Sequence, residues 1–422
     1  MLASGTTVLT GLAIMPILAH ALGVVGRGQV AAGTAPLLLT GSVMTFGLSE
    51  AVTYFTVKHP TAHRRILNMS ATTIIPAGIL TSVALVALAG PLSGGDATTE
   101  QFIRIAGVGV GPVAFISVLR ASAGAWQRWD LVAMEQLYVN VARLGALVVL
   151  FTVWRLTALQ ALLVMAFSPV VGALAYVRVR PESARLDAAQ TIQARLHRDL
   201  HSYGLKVWFG SLSWILLSRL DQTLMTPLSS SYQLGLYAVA VTVGELPQLL
   251  IAAVKDVLFA SDASVSDNDQ LQATSRITTA IGAVAAAVAS AASVVAVPIF
   301  FGPAFRPAIP ATILLLFAGV ALIPGLLSGA GLAARGFAAD RSRMLVGACV
   351  INVACIAVLV PPFGATGAAT GTLIGNFAVS VFTLRVTARR LHVRAGDFVV
   401  ARRSDFAPIV VRLRGRIPTR AV

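Results

Sequence analysis

Six residues of this 422-residue chain carry charge where the flanking sequence is almost wholly apolar: Arg120, Arg143, Lys206, Arg219, Asp221 and Glu245. A charge at the depth of a bilayer costs about 2.5–3.5 kcal/mol on insertion scales, so each needs a reason to be there. Arg143 lies half-way along its apolar run, with Asn140 nearby and no acid three or four residues away. Another helix, water or a ligand must therefore satisfy it. Arg219 is equally deep, with Asp221 two residues on and Glu245 in the following run. The alternative to a ligand is an internal salt bridge, Arg219 with Asp221 or Glu245 and Arg143 with one of the same acids. Glu245 is the deepest acid; it can couple transport to a cation or proton or balance an arginine, and the balancing role is favoured. Lys206 stands close enough to a helix end to snorkel to the interface, and Arg120 is four residues from the end of its run. Lys255 and Asp256 are adjacent and point about 100° apart, so Asp256 is expected to meet Arg276 or solvent. Glu50 marks the inner end of the second run.

The elements that must hold these charges are membrane helices. The hydrophobic fraction is 56%, mean hydropathy +0.81 and only 12% of residues are charged. A soluble core cannot hide that much apolar surface, so lipid must cover part of it. Apolar runs long enough to cross about 30 Å of hydrocarbon fall at roughly 2–22, 30–56, 66–90, 103–124, 131–153, 158–177, 203–227, 234–259, 277–301, 309–333, 344–361 and 366–386. Met1–Ala21 reads as the first of these rather than as a cleaved leader, because it lacks a basic start and its apolar stretch is too long.

Basic residues occupy alternate gaps. One set holds Lys58, Arg64 and Arg65, then Arg128, then Arg178 to Arg198, then Arg276, then Arg335, Arg341 and Arg343, then the arginines beyond residue 387. The other set holds only Arg27, Arg155 and Arg306, with Arg104 at a border. Arginine-rich gaps stay in the cytoplasm, which predicts both termini inside and an even helix count. The net charge of +15 is then topological and a contact with anionic lipid, with no nucleic-acid partner implied. The expected organisation is an N-terminal six-helix bundle (1–177), a cytoplasmic linker (178–202), a C-terminal six-helix bundle (203–386) and a basic cytoplasmic tail (387–422).

The halves match at a constant offset of 207 residues. Gly28 corresponds to Gly235, Pro91 and Gly95 to Pro298 and Gly302, and Ala123-Gly124 to Ala330-Gly331, each at equivalent span borders. Six spans per half keep both in one orientation, related by an axis along the membrane normal. The fold class expected is an all-α polytopic membrane protein, twelve transmembrane helices in two parallel bundles facing one another.

Several motifs carry a family likeness. Gln233-Leu-Gly-Leu-Tyr-Ala-Val-Ala follows Arg219-Leu-Asp-Gln; Phe301-Gly-Pro-Ala-Phe-Arg-Pro-Ala-Ile-Pro joins spans nine and ten; Pro361-Pro-Phe-Gly-Ala-Thr-Gly-Ala-Ala-Thr joins the last two. With Leu22-Gly-Val-Val-Gly-Arg-Gly-Gln and Phe46-Gly-Leu-Ser-Glu, the chain from about residue 5 to 386 resembles the O-antigen type lipid-linked oligosaccharide flippases. These belong to the multidrug, oligosaccharidyl-lipid and polysaccharide exporter superfamily. The resemblance implies a V of two six-helix bundles and a central cavity whose cations hold the pyrophosphate of a polyprenyl-linked sugar. It implies that role for Arg143, Arg219, Arg120 and Lys206, and arginine suits it because its fork binds phosphate oxygens bidentately. Its implied partners are the lipid-linked glycan, membrane lipids, and a polysaccharide polymerase with glycosyltransferases.

Two alternatives stay open, a cation-coupled multidrug antiporter of the same superfamily and a lipid-linked peptidoglycan precursor flippase. No P-loop, dinucleotide fingerprint, H-E-x-x-H or triad occurs, so no enzyme, cofactor or catalytic residue is expected. Asp262, Asp267 and Asp269 lack the glycine and terminal glutamate of a calcium loop. Cys349 and Cys355 suit neither zinc nor a disulfide.

Overall fold

The computed structural model describes residues 2–59, 62–177, 190–245, 254, 267–402 and 405. Those residues form fourteen α-helices with two short 3-10 turns and no strand. This is the expected solution for chain in hydrocarbon, where every backbone group must be satisfied within its own segment. In chain order they are α1 (Leu2–Val43), α2 (Leu48–Lys58), α3 (His63–Ala87), α4 (Ala89–Ser93), α5 (Ala97–Gly107), α6 (Val110–Ala125) and α7 (Trp129–Val153). They continue as α8 (Ala158–Gly172), α9 (Leu174–Val177), α10 (Gln190–Leu228), α11 (Ser231–Gly244), α12 (Asn268–Phe301), α13 (Ile309–Ala334) and α14 (Ala338–Leu391). Among the described residues seven helices are long and apolar enough to cross a bilayer, and eight if α5 and α6, bent by 41°, form one span.

The difference from the twelve apolar runs lies in where helices break. The gap expected after residue 22 shrinks to the non-helical Gly23 (φ 64, ψ −171), where the first helix of α1 ends and the second begins. The last two runs are two helices folded back on each other at the non-helical Gly364 (φ 53, ψ −127), with Gly371 and Gly375 of the second against Ile356 and Asn352 of the first. Run two is interrupted between Val43 and Leu48, where Phe46 (φ 47) and Gly47 (φ 70) turn the chain in the left-handed region. The outer gap expected at 91–102 is nearly all helix, leaving Gly94–Asp96 as its turn. Helix α10 begins at Gln190, inside the segment expected to be linker.

Exposed apolar side chains recur at helical spacing, as a lipid-facing stripe requires: Ile75, Ile79 and Val83 on α3, and Ile281, Val284, Val288 and Val295 on α12. The inner faces form separate cores. Leu48, Phe55, Ile74, Ile103 and Leu162 pack within the first half. Leu322, Leu345 and Val379 do so within the second. A third core joins the halves, with Ala19, Val24 and Ala31 against Leu234, Tyr237, Val297 and Phe305.

The loops segregate by charge. At the arginine-poor end, Gly94 lies against Thr226 and Pro227, Gly26 against Ala158, and Gly364 against Gln233. At the arginine-rich end, His63 meets Ser122 and Trp126, and Arg390 pairs with Asp340. Asp256 lies outside the described residues, and Arg276 is held elsewhere. Its guanidinium takes Asp405 through Nε and Nη2 at 2.7 and 2.6 Å and the carbonyl of Asp397 through Nη1. That pairing holds the Asp405 carboxyl below the usual carboxylate range. With Phe398 1% exposed, the start of the tail is therefore strapped to α12.

Candidate functional site

Close backbone approach between the halves decides what can face the centre. At the arginine-poor end α1 and α11 cross with glycine on both sides. A Cβ on Gly28 would stand 1.7 Å from the Ser231 carbonyl oxygen, and one on Gly235 would stand 2.0 Å from that of Val24. Small residues allow helices in membranes this proximity. The two glycines matched by the 207-residue offset thus pack against each other. Beside them Asp96 accepts from Thr99 at 2.5 Å, from Gln29 at 3.3 Å and, across the halves, from Ser231 at 3.3 Å. Burial works against its charge, but the hydrogen bonds from Thr99, Gln29 and the backbone of Thr98 and Thr99 prevail and hold the carboxyl below its usual range.

A second contact lies further toward the arginine-rich end, where Gly47 meets Gly204 of α10. Trp208 donates to the Val43 carbonyl at 2.7 Å, and Tyr203 stacks on Tyr54 at 4.5 Å. Helix α10 therefore leans on the first half over much of its length while its other face builds the second.

Three of the six charged residues come together. Asp221 of α10, Tyr237 and Glu245 from the α11 segment, and Thr372 and Asn376 of α14 line a pocket of the second half enclosing about 570 Å³ including its open mouth. Asp221 is 5% exposed and accepts from the Tyr237 hydroxyl at 2.5 Å and the Gln222 N–H at 2.7 Å. Tyr237 also meets Thr372 at 3.2 Å. Arg219 reaches Glu245 only loosely, at 3.8 Å, with their side chains 38% and 48% exposed. Asp221 and Glu245 line the pocket and Arg219 does not, so the lining is acidic.

The other bases stand apart. Arg120 is engaged with Glu135, donating from Nε at 2.9 Å and forming an ion pair through Nη2. Glu135 has no exposed side chain and takes a further hydrogen bond from Tyr176 at 2.6 Å. Arg143 of α7 donates from Nε to the Ser168 hydroxyl of α8 at 2.9 Å, and among the described residues no carboxylate pairs with it. Lys206 is exposed near the Gly47–Gly204 contact. Of the four cations, Arg120 and Arg143 belong to α6 and α7 and Lys206 and Arg219 to α10.

Sequence reasoning did not find Glu135, Ser168, Tyr237, Thr372 or Asn376. Glu135 had a signal: it lies about as far beyond the 126–128 turn as Arg120 lies before it, so a helical hairpin brings them level. The neutral partners had none, since hydroxyls and amides are common on membrane helices. No group of three or more His, Cys, Asp or Glu suited to a metal occurs among the described residues.

Comparison with known proteins fits this architecture. No curated protein matches the sequence. Among solved structures the chain is similar to the inward-facing conformation of a multidrug resistance MATE family transporter of the MOP superfamily. The TM-score is 0.74 at 15% identity, covering 92% of this chain and 94% of that one. It is also similar to the lipid II flippase MurJ in an inward closed conformation, with TM-score 0.70 at 12% identity over 94% and 88% of the two chains. A MOP superfamily transporter from Pyrococcus furiosus aligns with TM-score 0.57 at 12% identity over 92% and 93%. At such identities the likeness shows the fold, that of polytopic membrane transporters. Residues 1–259, more than half of the chain, match the model of a family described as polysaccharide biosynthesis protein, and the chain belongs to that family.

Proposed function

We propose that this protein is a flippase that moves a polyprenyl-pyrophosphate-linked oligosaccharide across the cytoplasmic membrane for polysaccharide biosynthesis. The observation that carries the reading is Arg143, a deep guanidinium whose hydrogen-bond partner is the neutral Ser168 hydroxyl. A phosphate oxyanion satisfies such a fork better than a hydroxyl does. Arg219, loosely held by Glu245, supplies a second cation on the other half. The arginine-rich end faces the cytoplasm in this reading, with both termini there. Two halves that part at one end and close at the other carry the head group across while the polyprenyl tail stays in lipid. The partners are the lipid-linked glycan, the surrounding lipids, and the glycosyltransferases and polymerase that make and use it.

Replacing Arg143 with Ala should abolish glycan export while the protein stays inserted, and Arg143→Lys should retain part of it, keeping the charge without the fork. Export by Arg143→Ala at the wild-type rate would remove the basis of the reading. Reporter fusions near residues 60, 190, 338 and 400 should read cytoplasmic and those near 95, 230 and 304 external. A single reversed fusion breaks the proposed threading.

The acidic pocket around Asp221 and Glu245 favours a second reading, a cation-coupled multidrug antiporter. Proteoliposomes separate the two: organic-cation uptake against a proton or sodium gradient, without translocation of lipid-linked glycan, would select the antiporter.

A further inference from the structure

Arg27 is a buried cation that the flippase reading leaves unused. It is 5% exposed, yet its recorded partner is the Met15 sulfur, 3.1 Å from Nη2. Its Nε finds no acceptor among the described residues, and no carboxylate pairs with it there. Met15 itself packs against the core that joins the halves. A guanidinium presents five donors and cannot shed its charge, so burial beside a thioether with Nε unmatched costs stability. Arg276, buried to the same degree, has its acid in Asp405.

The position explains what such a cost can do. Arg27 precedes Gly28, whose backbone lies against Ser231 in the contact that shuts the arginine-poor end. Gln29, on its other side, joins the Asp96–Ser231 cluster. Parting α1 from α11 must pull Gly28 off Ser231 and expose the adjacent guanidinium. The closed end therefore buries an unsatisfied cation, and the open end offers a preformed anion receptor.

We propose that Arg27 is an anion-binding residue of the state open at the arginine-poor end, receiving the phosphate oxygens of the substrate there. This rests on the flippase reading and adds a stage to it. Arg143 and Arg219 hold the anion at depth, and Arg27 takes it at the opening end. When the anion leaves, Arg27 is held by water as long as that end stays open, and closure hides it again at a cost. The unsatisfied guanidinium thus biases an empty carrier toward opening at this end.

The glycine contact supplies the test. No Cβ fits at residue 28 or 235 when the end is shut, so Gly28→Ala, or Gly235→Ala should the first fail to fold, holds that end open. Equilibrium binding of farnesyl pyrophosphate to the purified full chain in nanodiscs is compared between wild type and Gly28→Ala, each with Arg27, Arg27→Lys and Arg27→Gln. Arg27→Gln in the Gly28→Ala background should weaken binding roughly tenfold or more, with Arg27→Lys between. In the otherwise wild-type chain Arg27→Met should melt no lower than wild type, because it removes an unsatisfied charge rather than a bond. Affinity within about twofold of the parent in the Gly28→Ala background, or a clearly lowered melting temperature for Arg27→Met, overturns the assignment. If Arg143→Ala abolishes binding while Arg27→Gln is silent, this assignment falls and the flippase reading stands. If neither wild type nor Gly28→Ala binds the probe, both fall.

Discussion

The two halves share backbone devices and differ in their charges. Gly95 and Gly302, 207 residues apart, both take positive φ, at 89° and 97°, each ending a short turn at the arginine-poor end. Gly28 and Gly235, at the same offset, pack against each other. The charged groups do not repeat. Arg143 corresponds by offset to Val350, Arg120 to Leu327, Asp221 to Ile14 and Glu245 to Leu38. These backbone devices are thus common to both halves of the sequence. The first half adds bases, one of them neutralised and two not, whereas the second adds an acidic pocket. Any chemistry of transport must be read from what the repeat does not share.

The largest expected effect falls on the neutralised base. Arg120→Ala leaves the fully buried Glu135 with only Tyr176 as donor; because the Arg120 side chain is 43% exposed, the pair is screened and its loss should cost about 1–3 kcal/mol. The melting temperature should fall steeply and inserted protein should decline, whereas Arg143→Ala, which frees only a hydroxyl, should change stability far less. Equal losses for the two would mean that Arg143 is structural as well, and the contrast between a paired and an available base within the first half would collapse.

Some of this was legible in the sequence and some was not, for identifiable reasons. The alternation of arginine marks loop sides because charge resists translocation, and the loops gather at two ends accordingly. The Gly28–Gly235 contact was legible through its glycines because close backbone approach tolerates no side chain. The break inside run two was hidden: hydropathy runs unbroken through Val43 to Leu48, and Phe46 gives no hint of a left-handed backbone. The start of α10 was hidden for the opposite reason, since residues 190–202 are polar enough to read as linker while Leu196, Leu200 and Tyr203 pack on the first half. The site was least legible. Depth along a helix can be counted, but which helix faces Arg120 or Arg143 depends on packing that the apolar pattern leaves open. Arg27 reads as a loop residue in the sequence because a seven-residue gap is expected where one glycine suffices.

A moderate effect tests the shared frame directly. Neither Gly95 nor Gly302 has an atom within 4 Å of an added Cβ, so alanine at either meets only backbone strain. Each substitution should cost about 1–2 kcal/mol, and the two costs should agree. Thermal denaturation of Gly95→Ala and Gly302→Ala checks this. A large disparity would show that the halves do not use this device equivalently, and the parallel-repeat description would need revision.

The smallest effect belongs to Asp96, the charged member of the first half that touches the second. Its carboxyl is held below the usual range by hydrogen bonds that outweigh burial. The sign follows: a depressed carboxylate stabilises the state in which it is bonded at pH values above its ordinary pKa of about 4. That contribution fades as pH falls through the lower native value. The group is partly solvated, so the effect is screened and should stay below about 1 kcal/mol. Spin labels at Ala97 and Tyr232, on opposite sides of the contact, should hold one distance distribution from neutral pH to about pH 5 and broaden only in stronger acid. Asp96→Asn keeps the amide oxygen as an acceptor and removes the titration, so its distribution should not change with pH. Separation of the labels between pH 5 and 7 in the wild type would mean that another group governs the contact. The closed end would then rest on the Gly28–Gly235 packing without help from the carboxylate.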